Sequence, residues 1–359
     1  MHQSFQIIHK TPVNRNNETK PFPLEWLHQH LEEIVGIWCN QDAEFNINWI
    51  QDETLKSIIR QNHGFKSCLI KIHDYCRNAQ NKIEVRNQLK QAFEENTQIQ
   101  NLCDGHGNPI KYEDLPADIR NILKNGICNY LYDNLRKTTA YTDNYESFKS
   151  YFDTIIRESE MKVCPFCGLH DLKSEYEQGR DAFDHYLPKS IYPFVSIKAN
   201  NLFPICHECN SDEKKTKDIL FNIETQQRRH VFYPLAINHP SVEVMIDIAN
   251  IRTFDASHIS KSEFAIQVNV AGYEHQVNTW NWVFDIENRY ASWTCKKFER
   301  WTRSWRKDYQ KSGKELNQYV IDKLDCFDDD RLLDQQFLKY ALLSCLYQHD
   351  ILADLLQPN

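Results

Sequence analysis

Residues 164–217 read CPFCGLHDLKSEYEQGRDAFDHYLPKSIYPFVSIKANNLFPICHECNSDEKKTK, and this stretch decides the fold. It opens on Cys164-Pro-Phe-Cys167 and closes on Cys206-His-Glu-Cys209. A CxxC turn points two thiolates at one centre, so two such turns complete a tetrahedral four-cysteine site for zinc. The interval between Cys167 and Cys206 is longer than in a bare zinc ribbon, so the two turns clamp a folded insert. A redox dithiol is the alternative, but it opens a helix in a βαβ context, and none is legible here. The other eight cysteines (Cys39, Cys68, Cys76, Cys103, Cys128, Cys295, Cys326 and Cys345) are scattered through helical patterns and read as small buried hydrophobes.

Inside the clamp stands Asp184-His185-Tyr-Leu-Pro188-Lys189-Ser190, and later Asn201, with Asn210 directly after Cys209 and Lys214 four residues further on. These residue types suit hydrolysis by an activated water beside a Lewis acid. A histidine, with an ordinary pKa near ~6.5, is a natural general base. Neighbours on a strand point to opposite faces, so Asp184 and His185 need a hairpin loop or bulge to converge. Asn210 offers a neutral oxygen ligand, which with Asp184 suits a hard ion of the Mg2+ type. Lys214, one helical turn after Asn210, and Lys189 in the loop are candidates for phosphate contact. A different reading makes Asp184 a turn residue and His185 a zinc ligand. Asn200 competes with Asn201, which stands five residues before Cys206.

The ordered pattern D-H-x-x-P-x-S, then N-L-x-x-x-C-x-x-C-N and a lysine-rich helix start, resembles the HNH endonucleases, the ββα-metal nucleases. The resemblance covers roughly one-seventh of the chain. It implies a phosphodiester hydrolase in which Asp184 and Asn210 hold Mg2+ or Mn2+, His185 activates water and Asn201 orients the imidazole. Cys164, Cys167, Cys206 and Cys209 would hold structural zinc. The chain departs from many HNH enzymes in having IYPFVSIKA (191–199) where glycines usually form the turn between the strands, which implies a wider, ordered connection. His207 and His170 read as loop residues near the zinc, and Lys215 and Lys217 as solvated helix charge.

Around this core the sequence is mainly helical, so the fold class is α+β with a ββα-metal HNH core and a small additional strand group. Residues 1–160 read as a helical region: 24–38 places Leu24, Trp26, Leu27, Leu31, Ile34, Val35 and Trp38 on one stripe, and 82–95, 118–137 and 147–159 repeat the signal. Residues 161–233 are the zinc-clamped core. Residues 234–359 begin with strands at 242–248, 251–254 and 264–270 and return to helix at 275–309 and 337–356. The acidic run 325–334 reads as a helix start.

The chain carries 42 Lys+Arg against 50 Asp+Glu over 359 residues, a net charge of −8, which argues against a protein that coats nucleic acid. The core brings no basic field of its own. The richest basic stretch is 296–314, where Lys296, Arg300, Arg303 and Lys307 share one helical stripe and Phe298, Trp301 and Trp305 another. It is either a phosphate-gripping helix or an amphipathic helix whose solvated face is basic. Arg228 and Arg229 are a second basic pair. No run approaches the ~20 apolar residues of a membrane span, and the N-terminus lacks the apolar core of a signal peptide. A cytoplasmic protein with reduced thiols is expected. The layout is similar to HNH effectors of bacterial antiphage defence, such as the HNH subunit of Septu systems. That likeness implies double-stranded DNA as substrate and an ATPase-type partner. The competing expectation is a non-catalytic zinc-bearing module or adaptor that binds nucleic acid or protein.

Overall fold

The computed structural model describes residues 23–142, 162–174, 176–236 and 240–357, together with Asp153 and Ile156. The helix expected over 147–159 lies outside these residues, apart from those two positions.

The fold is α+β and mainly helical. Helix α1 (Pro23–Asn40) buries the whole stripe read from the sequence, from Leu24 to Trp38. Asp52 and Asn62 cap α2 (Glu53–Gln61) and α3 (His63–Asn78), each accepting a backbone N–H of the first turn, at 2.7 and 2.8 Å. Helix α4 (Lys82–Asn96) and the short α5 (Ile99–Cys103) complete this layer. The helix expected over 118–137 is broken into α6 (Ala117–Asn121), a π-helical stretch Ile122–Cys128 and α7 (Asn129–Asp133), followed by the single turn α8 (Thr139–Thr142). Close packing accompanies the wide turn: a Cβ on Gly126 would stand 2.4 Å from Cys68 Sγ, so a larger residue there would push Cys68 aside.

Strands β1 (Ala182–His185) and β2 (Leu202–Ile205) form an antiparallel pair, with Asp184 opposite Phe203 and His185 opposite Leu202. A second pair, β3 (Glu243–Ile248) and β4 (Phe264–Asn269), matches two of the three expected strands. The third, 251–254, is a turn. The tail runs through α9 (Glu274–Phe284), α10 (Ile286–Ser312), α11 (Leu316–Asp329), α12 (Gln336–Gln348) and α13 (Leu352–Leu356). Both long helices of the sequence reading are interrupted where an aspartate takes a left-handed backbone, Asp285 (φ 50°) and Asp350 (φ 59°). The acidic run 325–334 is no helix start. Asp325, Asp328 and Asp329 end α11, because Tyr319, Val320 and Phe327 continue its buried face through them.

The buried apolar residues form one cluster from Leu24 to Leu356, so the three regions of the chain share a core. The N-terminal helices hold the β1–β2 connection directly. Asn96 Nδ2 donates to Pro193 O at 3.2 Å, Lys124 Nζ to Ser190 O at 2.7 Å and Ser196 Oγ to Cys128 O at 3.0 Å. From the same connection Lys198 Nζ donates to His28 Nε2 at 2.8 Å, and the His28 ring stacks on Phe93. Burial, aided by the Lys198 charge, holds the His28 pKa down to about 4.

Because the folded His28 stays neutral while an unfolded one protonates near ~6.5, stability is complete above that pH and declines as pH falls from ~6.5 toward 4. Urea melts at pH 7 and pH 5 should differ by roughly 1–2 kcal/mol through this group, and His28→Gln should flatten that dependence. An unchanged slope in the variant would show that other groups govern acid sensitivity.

Candidate metal centre and the strand pair it holds

The first knuckle turns at residues 164–168, where Cys164 O accepts from Gly168 N at 2.9 Å and Gly168 takes the left-handed φ of 65°. The second leads from β2 into a π-helical turn, Glu208–Lys214. All four cysteines are free thiols and buried, and their sulfurs lie within 4.8 Å of one another, with Cys167 and Cys206 at 3.9 Å. A ZnS4 tetrahedron with Zn–S bonds near 2.3 Å separates its sulfurs by about 3.8 Å. The cluster therefore fits a metal such as zinc. Backbone N–H groups of Leu169, Cys206 and Cys209 point at Cys167, Cys164 and Cys206 Sγ, each at 3.5 Å, the arrangement that stabilises thiolates. Hydrogen bonding from its neighbours draws Cys206 down to about 7.

The C-terminal helices close the centre. Arg289 Nη1 donates to Cys209 Sγ at 3.1 Å, Tyr290 Oη to Cys167 O at 2.9 Å and Trp280 Nε1 to Phe166 O at 2.7 Å. Sequence reading assigned none of these three a role. With a dication bound by four thiolates, the guanidinium would partly offset the net negative charge of the centre. The knuckle residue Phe166 stacks against Tyr186 and Phe284 and meets Phe203 edge-on, which ties the cluster to β1, β2 and α9.

The strand pair holds the polar residues. His185 ends β1 and is 9% exposed; its Nε2 lies 2.9 Å from Ser196 O. A carbonyl only accepts, so Nε2 carries the proton and the neutral ring keeps its lone pair on Nδ1. Tyr132 from α7 meets the ring edge-on at 4.6 Å. Burial first, and then the Lys189 and Lys214 charges, lower the His185 pKa to about 3, so the imidazole is neutral at physiological pH.

Asp184 leaves the strand toward a different partner. Its Oδ2 lies 2.8 Å from the ammonium of Lys214, which is itself fully buried and donates to His185 O at 2.8 Å. Burial raises the Asp184 pKa, and Lys214 opposes that rise. This corrects the reading of Lys214 as a phosphate contact: a carboxylate this buried requires a counter-ion, and Lys214 supplies it. The bulge expected to bring the Asp184 and His185 side chains together is absent, since β1 pairs with β2 in unbroken register.

Asn201 is fully buried and braces the connection. Its Oδ1 accepts from Leu187 N at 2.7 Å, and its Nδ2 donates to Leu187 O and Val195 O at 3.0 and 3.1 Å. It thus fixes the residue preceding Ser196, whose carbonyl orients His185. Asn210 is half-buried at the start of the π-helical turn, its N–H donating to Cys206 O.

Lys189 is turned inward, paired with Asp133 at 3.1 Å and lying over the Tyr132 ring. Lys217, expected to be solvated, instead donates to the carbonyls of Trp282 and Val283 at the end of α9. Arg228 donates to Leu102 O and Arg229 lies over Trp282. His207 is exposed, and His170 lies 3.7 Å from Glu208. On α10 the two expected stripes are real: Phe298, Trp301 and Trp305 are buried, while Lys296, Arg300, Arg303 and Lys307 are exposed. Arg303 pairs with Glu299. At 1.5 Å per residue the basic stripe begins about 10 Å along the helix from Arg289 and ends about 27 Å from it.

No protein-family model matches the chain, and no solved structure matches it. Over 72 residues, 20% of its length, the chain is 36% identical to protein ea31 of Escherichia phage lambda, and that match covers 22% of the phage protein. No helix among the described residues is long and apolar enough to cross a membrane.

Two outcomes test this centre. Cys206→Ser should lose the zinc of this centre, read by elemental analysis, with a loss of folding stability on the order of 10 kcal/mol for a structural site; a variant that loses this zinc and stays fully folded contradicts the assignment. Lys214→Met should cost roughly 3–5 kcal/mol by stranding Asp184, and Asp184→Asn in the same chain should recover part of it. Additive losses in that double-mutant cycle would dissolve the pairing.

Proposed function

We propose that the protein is a metal-dependent endonuclease of the HNH type that hydrolyses phosphodiester bonds of nucleic acid, with DNA the favoured substrate. The observation that carries the reading is the tautomer of His185, with Nε2 tied to Ser196 O and Nδ1 left with its lone pair. That is the tautomer a general base requires. It stands at the end of β1 in a strand–strand–helix unit whose second strand and helical turn are joined through the four-cysteine cluster.

In the proposed reaction a water attacks phosphorus while its proton passes to His185 Nδ1. The bond from phosphorus to the 3′ oxygen breaks, and that oxygen is protonated from solvent. Asn201 acts as a positioning residue by holding Val195 O, next to the Ser196 carbonyl that holds the ring. Asp184 and Asn210 are the residues that would hold a divalent ion. Asp184 Oδ2 is buried without a well-directed hydrogen bond, and because it faces the Lys214 ammonium a divalent ion there would have to displace that pair. When bound, Mg2+ or Mn2+ would supply Lewis-acid stabilisation of the phosphate and the leaving oxygen. The exposed residues Lys296, Arg300, Arg303 and Lys307 are the proposed backbone contacts.

The ring is covered by Tyr132, and Lys189 and Asp133 pair beside it, so this arrangement describes a closed site that α7 must uncover. That fits an activity held in check until a signal or an ATPase-type partner releases it, as in the cytoplasmic antiphage systems that the sequence resembles. A second reading, a zinc-bearing binding module without catalysis, is favoured by the Asp184–Lys214 pair, which neutralises the carboxylate without any metal.

Incubating the purified chain with supercoiled plasmid, single-stranded DNA and RNA, in Mg2+, Mn2+ or EDTA, separates the two. Metal-dependent cutting is expected, and His185→Ala should lower its rate by at least ~10²-fold with fold and zinc content intact. Wild-type rates in that variant would overturn the assigned base.

A further inference from the structure

A second group of metal-binding side chains lies outside the four-cysteine centre. Asp247 on β3, Cys345 on α12 and His349, the residue that caps α12, bring a carboxylate oxygen, a thiol sulfur and an imidazole nitrogen within 4.8 Å of one another. Cys345 and His349 are four residues apart and so share one helical face. Asp247 reaches them from a distant strand: its Oδ1 lies 2.6 Å from His349 Nε2 and also accepts from Ile248 N at 2.8 Å. That backbone bond fixes the carboxylate as a second-shell donor fixes a ligand.

The three residues line a cavity of about 640 Å³, which the first knuckle, Cys164 to Gly168, also walls. A mixed sulfur, nitrogen and oxygen set selects a zinc-like ion over Mg2+ or Ca2+. Three protein ligands leave a fourth position, and all three of these residues border the cavity. We propose that Asp247, Cys345 and His349 form a second zinc site whose open position takes water or a small anionic donor from the cavity. On binding, the Cys345 thiol gives up its proton to solvent, and the imidazole proton resides on Nδ1, leaving Nε2 for the metal. This site is independent of the nuclease reading.

The test is zinc binding to the full chain, by elemental analysis after exhaustive dialysis and then by calorimetric titration with zinc alone. Two zinc ions per wild-type chain are expected. His349→Gln and Asp247→Asn should each bind one, with circular dichroism unchanged, the ion retained being that of the four cysteines. Once a chelator has removed the zinc of this site and left that of the four cysteines, added cobalt should give the wild type a thiolate-to-metal absorption band and His349→Gln none. Wild-type chains that take up one zinc even under titration, with uptake unaffected by His349→Gln, would overturn the second site. A single zinc lost in His349→Gln but kept in Cys206→Ser would instead uphold this site and reject the four-cysteine assignment.

Discussion

Gathering four sulfurs to one point is the constraint on which the structure turns. The two knuckles lie 39 residues apart at their nearest cysteines, yet Cys167 and Cys206 are separated by 3.9 Å. Unscreened thiolates at that spacing repel strongly, so the arrangement calls for a cation at its centre and positive charge around it. Arg289 provides some of that charge from α10, and Trp280 and Tyr290 fasten the carbonyls of Phe166 and Cys167. The cluster thereby joins the strand pair to the C-terminal helices as well as closing its own loop.

The strand pair is equally dependent on the other half of the chain. The connection between β1 and β2 is hydrogen-bonded by Asn96, Lys124 and Cys128 from the N-terminal helices. Asn201 then braces it from within. His185 is oriented by a carbonyl of this connection, so its geometry is a property of the whole body.

Much of this was legible in the sequence where the signal is local. The CxxC spacing gave the sulfur cluster, the apolar period of α1 gave its buried face, and alternation gave β3 and β4. The separation of Lys296, Arg300, Arg303 and Lys307 from Phe298, Trp301 and Trp305 also followed from helical period alone. What escaped depends on partners far along the chain. Nothing near Lys214 indicates that Asp184, 30 residues earlier, will claim its ammonium. Arg289 sits in an ordinary amphipathic run until Cys209 is placed beside it. The breaks at Asp285 and Asp350 were invisible because a left-handed aspartate is a local cost that only tertiary packing can justify.

The Ser196 contacts carry one more implication. Its hydroxyl grips Cys128 O, the last residue of the π-helical stretch, and its carbonyl grips His185 Nε2. One residue thus links the π-wound stretch of the N-terminal helices to the imidazole at the end of β1. The 54-residue segment bearing the motif carries His185 and Ser196 together but leaves Cys128 behind, so as a free-standing module it would lose the contact that anchors the histidine's partner.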